Sequence, residues 1–349
     1  MIVHQVLSGA GPRDAITTEA RAFRARFTGW GWTGADYAAR RAPGAETAFR
    51  PLAELAPGPT DVVLVHHSAA LPGLEGLLAL PGRRMLLHHN VTPSRWLWDV
   101  SPYVAALCAL GREQLPQLVA GCHLAAADSA FNAAELAAVG ATRAEVLPLL
   151  VDLAPLGDPA SPRRPAGAPH VLFVGRLSPH KRQDRVIEAF AHFRRVHAPA
   201  AHLTLVGEPL TEGFAAQLRA LGAQQAPGAV AVRSGLTEAE LGEVYRSADV
   251  FLCLSEHEGF CVPLLEAMAL GVPVIARAAG AVAEVAGDAA VILNEDDPAL
   301  VSELLHLVVA DPDLRDELIR RGRARAAAFE PGRVATRLQQ LVVATARGG

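Results

Sequence analysis

Short apolar runs alternate with longer amphipathic stretches along the whole chain. Apolar runs of about four to eight residues, bounded by Gly, Pro, Asp or Asn, predict buried strands. The stretches between them carry apolar residues at three- and four-residue spacing and predict helices. In the first half, strands are expected at 2–8, 61–68, 83–90 and 123–129, with a fifth at 145–151. Helices are expected at about 14–27, 102–119 and 131–139. The stretch 30–60 is rich in Gly and Pro and shows no period, so it receives no elements. Residues 154–169 (APLGDPASPRRPAGAP) have the composition of a linker. Alternation then restarts, with strands at 171–175, 202–207, 229–235, 250–255, 272–277 and 289–294. Helices near 298–309, 312–328 and 332–346 close the chain.

Strands alternating with helices imply parallel sheets with crossover helices. The fold class is α/β: two doubly wound, Rossmann-like lobes facing a central cleft. The expected division is a first domain at 1–153, the linker 154–169, a second domain at 170–330, and a C-terminal helix at 331–349 packing back toward the first domain. Open parallel sheets bind ligands beyond the carboxyl ends of their strands.

The distinctive polar residues fall at that edge. Gly9 and Gly11 follow the first strand, His66 and His67 end the second, and His88, His89 and Asn90 end the third. In the second half, Arg176 and Lys181 follow strand 171–175, and SEHEGFCVPLLEAM follows 250–255. Lys181 is the single lysine among 32 Lys and Arg residues. A compact ammonium between a strand and a helix suits a phosphate. Pro263 and Gly271 bound a helix over about 263–270. Its N-terminus offers amides and the positive end of a dipole to an anion or a hydroxyl. Glu258 and Glu266 bracket that N-terminus.

Composition narrows the options. A 349-residue chain that is 51% hydrophobic and 19% charged can bury large cores. Its net charge of -4 argues against nucleic acid as a partner. The cysteines, Cys108, Cys122, Cys253 and Cys261, show no CxxC or CxxH spacing. They read as thiols of a reducing compartment, with no zinc site. The histidine pairs also fail as metal sites, because neighbouring residues at a strand end point to opposite faces. No signal peptide is visible, and no run approaches the roughly 18 apolar residues of a membrane span, so a cytoplasmic protein is expected. The first helix, with Arg21, Arg24 and Arg26 and with Trp30 and Trp32 beyond, is read as an ordinary amphipathic helix with a solvated face. Peripheral contact with the inner face of a membrane is its alternative. The basic run 320–329 is read the same way.

The motif EGFCVPLLEAMALGVPVIA, with Glu258 and Glu266 separated by seven residues, and VGRLSPHKRQD upstream resemble glycosyltransferase family 4. These are retaining, nucleotide-sugar-dependent enzymes of the GT-B fold. HHNVTP (88–93), DSAFNAAEL (128–136) and the opening strand and Gly loop resemble the same family. The resemblance implies a sugar transferred from a nucleotide-diphosphate donor, of UDP or GDP type, to a hydroxyl of a glycan, glycolipid or small molecule, with no metal or other cofactor. By this resemblance Arg176 and Lys181 bind the donor diphosphate. Glu258 meets the sugar hydroxyls, helped by the amides of Gly259, Phe260 and Cys261, and Glu266 binds the ribose. His89 meets the donor sugar, with Asn90 beside it. Gly9 and Gly11 admit the diphosphate or acceptor, and Arg233, Ser234 and Gly235 lie near the base. The chain departs from the family at Cys261, often Gly in relatives, and in a first loop without adjacent glycines. The runner-up readings are a non-catalytic, sugar-nucleotide-binding partner subunit and a nicotinamide-dependent oxidoreductase. The oxidoreductase lacks a GxGxxG after the first strand of either lobe. A pyridoxal-phosphate enzyme would also prize a lone lysine.

Overall fold

A computed structural model describes residues 1–11, 14–158 and 167–348. The chain divides into two compact units. The first comprises Met1–Arg95, Tyr103–Val151 and Phe329–Gly349, and the second comprises Trp96–Pro102 and Asp152–Ala328. Part of the expected linker, residues 159–166, lies outside the described residues.

The first unit holds strands β1 (Val3–Leu7), β2 (Asp36–Ala38), β3 (Arg50–Pro51), β4 (Val62–His67), β5 (Arg83–His88), β6 (Leu124–Ala127) and β7 (Ala144–Val146). They form one sheet in the order β3-β2-β1-β4-β5-β6-β7, and every pairing is parallel. Its helices are α1 (Ala15–Gly29), α2 (Leu74–Ala79), α3 (Pro102–Gly121) and α4 (Ala130–Ala138). Alternation along the strands separates two cores. Val3, Val62 and Leu64 pack with Phe23 and Phe27 of α1 and with Leu338, Leu341 and Val342 of the C-terminal helix, Pro331–Arg347. Val6, Val63 and Val65 pack with Leu74 and Leu77 of α2, Leu115 and Leu118 of α3, and Leu136 of α4. Helices therefore cover both faces of the sheet, which explains why β4 is buried along its whole length.

Two local differences from the sequence reading have physical causes. The unpatterned stretch 30–60 contains β2 and β3, the short edge of the sheet. Pro51 cannot donate a hydrogen bond, and an edge strand tolerates that. The expected strand 145–151 stops at Val146, because Pro148 ends the ladder after Leu147 donates to the Ala127 carbonyl at 2.9 Å.

The second unit holds β8 (His170–Val174), β9 (His202–Val206), β10 (Val230–Arg233), β11 (Val250–Cys253), β12 (Val274–Arg277) and β13 (Val291–Leu293). Their order is β10-β9-β8-β11-β12-β13, again all parallel. Around them lie α5 (Gln183–Val196), α6 (Glu212–Gln225), α7 (Glu238–Ser247), α8 (Val262–Ala269), α9 (Val282–Ala286), α10 (Pro298–Ala310) and α11 (Pro312–Ala327). Side-chain caps start several of these helices. Thr237 and Glu240 form a reciprocal capping box on α7, and Asp297 and Asp311 cap α10 and α11 ahead of prolines. Strand order reverses between β8 and β11, so the loops after these two strands diverge over the site described below.

Helix α7 passes so close to the turn Ala154–Leu156 that a Cβ on Gly242 would lie 1.9 Å from the Leu156 carbonyl oxygen. Gly242→Ala must push backbone apart. It is expected to cost about 3 kcal/mol or more, read as a lowered melting temperature with unchanged secondary structure.

Candidate active site

The loop after β8 begins at Gly175, whose φ of 153° suits glycine. A Cβ on the neighbouring Gly207 would lie 1.8 Å from the Gly175 oxygen, so this strand end accepts no side chain at Gly207. Arg176 is exposed and makes no ion pair among the described residues. Its carbonyl accepts a hydrogen bond from Gln183 Nε2 at 2.9 Å. A single 3-10 turn, Pro179–Lys181, follows, and Arg182 then takes the left-handed conformation at φ 51°. That reversal starts α5 and leaves Lys181 as the last residue of the turn.

Lys181 Nζ donates to Glu258 Oε2 at 2.6 Å. Burial alone would lower the ammonium's pKa, but the charge of Glu258, the nearby thiols and the hydrogen bond outweigh it and raise it above the ordinary value. Lys181 is therefore charged at neutral pH. Glu258 is held from behind: Ala281 N donates to its carbonyl at 3.0 Å, and Gly280, at φ 56°, has no room for a Cβ beside that oxygen. Beyond it, Cys261 stands at the N-cap of α8 at φ 76°, and no side chain caps the helix. Phe260 and Cys261 are buried. Glu266, one turn into α8, accepts a hydrogen bond from the Tyr245 hydroxyl at 2.6 Å. Burial raises the pKa of Glu266 and raises that of Tyr245 well above its usual value. Arg233 ends β10, and the amide of Gly235, two residues beyond, donates to Glu208 Oε1 at 3.0 Å.

A second ionic group surrounds Glu256. Its carboxylate pairs with Arg182 and Arg277 and accepts from Trp96 Nε1 at 2.9 Å. The Trp96 ring packs against His180 and His257, with centroids 6.3 and 5.5 Å apart. Trp96 thus packs on residues that flank Lys181 and Glu258.

In the first unit the histidines form two stacked pairs on opposite faces, as strand alternation requires. His66 and His89 stack at 5.1 Å with Nδ1 facing Nε2 at 2.8 Å. His67 and His88 stack at 5.3 Å. Gln5 holds His66 at 3.0 Å, and Asp128 holds His89 at 2.9 Å with Glu19 at 3.6 Å. The His89 side chain has 0% exposure. The expectation that its ring meets a sugar is corrected on this ground: two carboxylates and His66 already enclose the ring. Asn90, at φ 70°, donates to Asn132 at 2.9 Å and to Glu135 at 3.1 Å. Glu135 also accepts from His88 and Arg112, and against the desolvation that would raise it, these partners hold its pKa at about 2. Neither Gly9 nor Gly11 has a positive φ, and a Cβ on either would meet its neighbours only at 3.9 Å. Nothing within the unit therefore demands glycine there. On α1, Arg24 pairs with Asp36 at 2.6 Å, and Trp30 and Trp32 pack on the core. In α11, Arg320 and Arg321 pair with Glu317. No helix of the described residues is long and apolar enough to cross a membrane.

Residues 158–325 match the family model described as glycosyl transferases group 1. The second unit is thus similar to glycosyl transferases group 1 over just under half of the chain. A D-inositol 3-phosphate glycosyltransferase from Acidothermus cellulolyticus is 34% identical over 185 residues, a stretch covering 50% of this chain and 41% of that protein. The match thus spans less than half the length of that relative. Sucrose-phosphate synthase from Thermosynechococcus elongatus superposes with a TM-score of 0.76 at 17% identity over 98% of each chain. The Anabaena protein HepE, solved with UDP and glucose, superposes with a TM-score of 0.73 at 14% identity, covering 99% of this chain and 100% of its own. These likenesses show the GT-B fold.

Within the second unit, the structure brings Lys181, Glu258, Phe260 and Cys261 together, leaves Arg176 exposed nearby in sequence, and holds the half-buried Glu266 against Tyr245. Sequence reasoning missed Glu256, Arg182, Trp96 and Tyr245. Glu256 lay inside the quoted SEHEGF run and was the legible signal. Trp96 had none, since its hydrogen-bond partner Glu256 lies 160 positions away.

The buried acid in the first unit sets a pH dependence. Burial, opposed by His89, lifts Glu19 to about 8. Asp128 and Glu19 raise His89 even though burial works to lower it. Both groups bind protons more tightly folded than unfolded, so their stabilisation is present at low pH and lost as pH rises toward 8. His66 and His67 are lowered by burial, so their contribution is lost only as pH falls below the usual histidine range. Between about pH 6.5 and 8, the melting temperature is expected to fall in wild type and to fall less in Glu19→Gln, as scanning calorimetry across that window would reveal.

Proposed function

We propose that the chain transfers a sugar from a nucleotide-diphosphate donor to a hydroxyl acceptor with retention at the anomeric carbon, without a metal in the transfer step. The observation that carries this reading is the Lys181–Glu258 pair at 2.6 Å beside the uncapped N-terminus of α8. The match of residues 158–325 to glycosyl transferases group 1 and the UDP and glucose held by HepE support it.

Cleavage of the bond between the anomeric carbon and the phosphate oxygen leaves positive charge on the sugar and negative charge on the diphosphate. Lys181, Arg176 and the α8 amides stabilise the departing oxygens. Glu258 orients the sugar through its hydroxyls. Glu266, neutral more often than an ordinary glutamate because its pKa is raised, hydrogen-bonds the ribose. The acceptor oxygen bonds to the anomeric carbon on the face that the phosphate leaves, and the hydroxyl proton passes to the leaving phosphate. Arg233 and Gly235 lie toward the base. In the first unit, Asn90, Gly9 and Gly11 serve as donor-contacting backbone positions. His89 takes the narrower part of fixing the turn at Asn90.

Lys181→Ala is expected to lower transfer by about 10²–10³-fold, with a lowered melting temperature because Glu258 is left unpaired but with unchanged secondary structure. Lys181→Arg should rescue it poorly, since a planar fork cannot replace a point charge at a 2.6 Å contact. The experiment measures nucleotide release and product anomer from UDP- and GDP-sugars, with thermal stabilisation by UDP, GDP and NAD in parallel. Undiminished turnover by Lys181→Ala, or stabilisation by NAD alone, overturns the reading.

A further inference from the structure

We propose that Cys253, Cys261 and Glu258 form a binding site for a thiophilic divalent cation, with Zn²⁺ the metal whose chemistry fits best. The two cysteines stand eight positions apart in sequence, a spacing that matches no zinc motif. The fold brings them together, because Cys253 ends β11 and Cys261 begins α8 after the loop doubles back.

Each of the three residues is buried, and one ligand atom from each lies within 4.8 Å of the others. Cys253 Sγ is 4.0 Å from Glu258 Oε1. Tetrahedral zinc with thiolates at about 2.3 Å and a carboxylate oxygen at about 2.1 Å needs S–S near ~3.8 Å and S–O near ~3.6 Å. Small side-chain rotations supply the difference. The Ser255 hydroxyl, 3.3 Å from Cys253 Sγ, or a water can complete the shell.

The carboxylate is already divided between two tasks. Its Oε2 takes Lys181 at 2.6 Å, while Oε1 faces the thiol. A cation can therefore bind without breaking the ion pair. Charge also balances: two thiolates and one carboxylate face one dication and one ammonium, and two thiol protons leave to solvent on binding. The Glu19–His66–His89 group of the first unit is a weaker candidate, because His66 and His89 spend their facing nitrogens on each other at 2.8 Å. Bound metal would engage Glu258 Oε1 and so compete with a sugar hydroxyl. That consequence rests on the proposed function; the binding itself does not.

The test titrates the purified, reduced, metal-free chain with Cd²⁺ or Co²⁺ alone, with no nucleotide present. One equivalent is expected to raise a thiolate-to-metal charge-transfer band that Zn²⁺ displaces. Cys253→Ala and Cys261→Gly should each abolish the band or weaken affinity by at least the roughly 10–100-fold expected even for a lost supporting partner. The glycine variant suits the positive φ at position 261, so its folding is safeguarded, and melting curves check both variants. Glu258→Gln should weaken affinity while keeping the band, and Cys108→Ser with Cys122→Ser should leave it intact. Absence of the band in wild type, or its persistence unchanged in both site variants, overturns the proposal. A positive titration alongside inactive Lys181 chemistry would leave the metal site standing and the transferase reading fallen.

Discussion

The second unit depends on the ion pair between Lys181 and Glu258. A buried carboxylate is costly unless it is paired, and removing one partner of such a pair costs about 3–5 kcal/mol. The pair itself adds little net stability, because both charges have left water. What it contributes is position. Lys181 stands after β8 and Glu258 after β11, and these strands are neighbours across the point where strand order reverses. The bond therefore ties together two loops that topology sends in opposite directions. Glu256 adds a second tie two residues earlier, to Arg182, Arg277 and Trp96. The loop between Ser255 and Cys261 is thus pinned by its acids, and α8 starts from a fixed place with its amides facing outward from the strand ends.

The first unit uses the same sheet edge in the opposite way. Its polar groups satisfy one another. Four imidazoles stack in two pairs, and carboxylates, amides or carbonyls take the outward nitrogens. Such a network makes the edge rigid and leaves few charges to offer a ligand through side chains. Groups that remain useful there are backbone ones, such as the left-handed turn at Asn90.

Much of this was legible in the chain because parallel sheets buried on both faces write themselves as apolar runs. Strands such as Val62–His67 and Val250–Cys253 could be placed to within a residue or two. The same register put Lys181 and Glu258 at one edge before any coordinates. The edge strands Asp36–Ala38 and Arg50–Pro51 were illegible, since strands of two or three residues carry no period. Side-chain direction was illegible too. Position 89 lies at a strand end, where a ligand would be met, yet its ring turns inward because Asp128 and Glu19 wait behind it. Long-range partners such as Trp96 with Glu256 leave no mark in local sequence at all.

Cys261 shows how a departure from pattern carries information that the pattern does not. The left-handed conformation there costs a side-chain-bearing residue about 1–2 kcal/mol relative to an ordinary helical or extended one. Glycine would remove that cost, and the geometry at the α8 N-cap asks for nothing that glycine lacks, since the Cys261 side chain caps no amide. The thiol must therefore be accounted for by what it touches. Its Sγ lies within 4.8 Å of ligand atoms of Cys253 and Glu258, two further groups with lone pairs, in a place with almost no exposed surface. A packing role would be served as well by alanine with less chemistry to manage. Two thiols and a carboxylate oxygen turned toward one point make a set of donors, and the strain at position 261 is the cost of bringing the third of them into range.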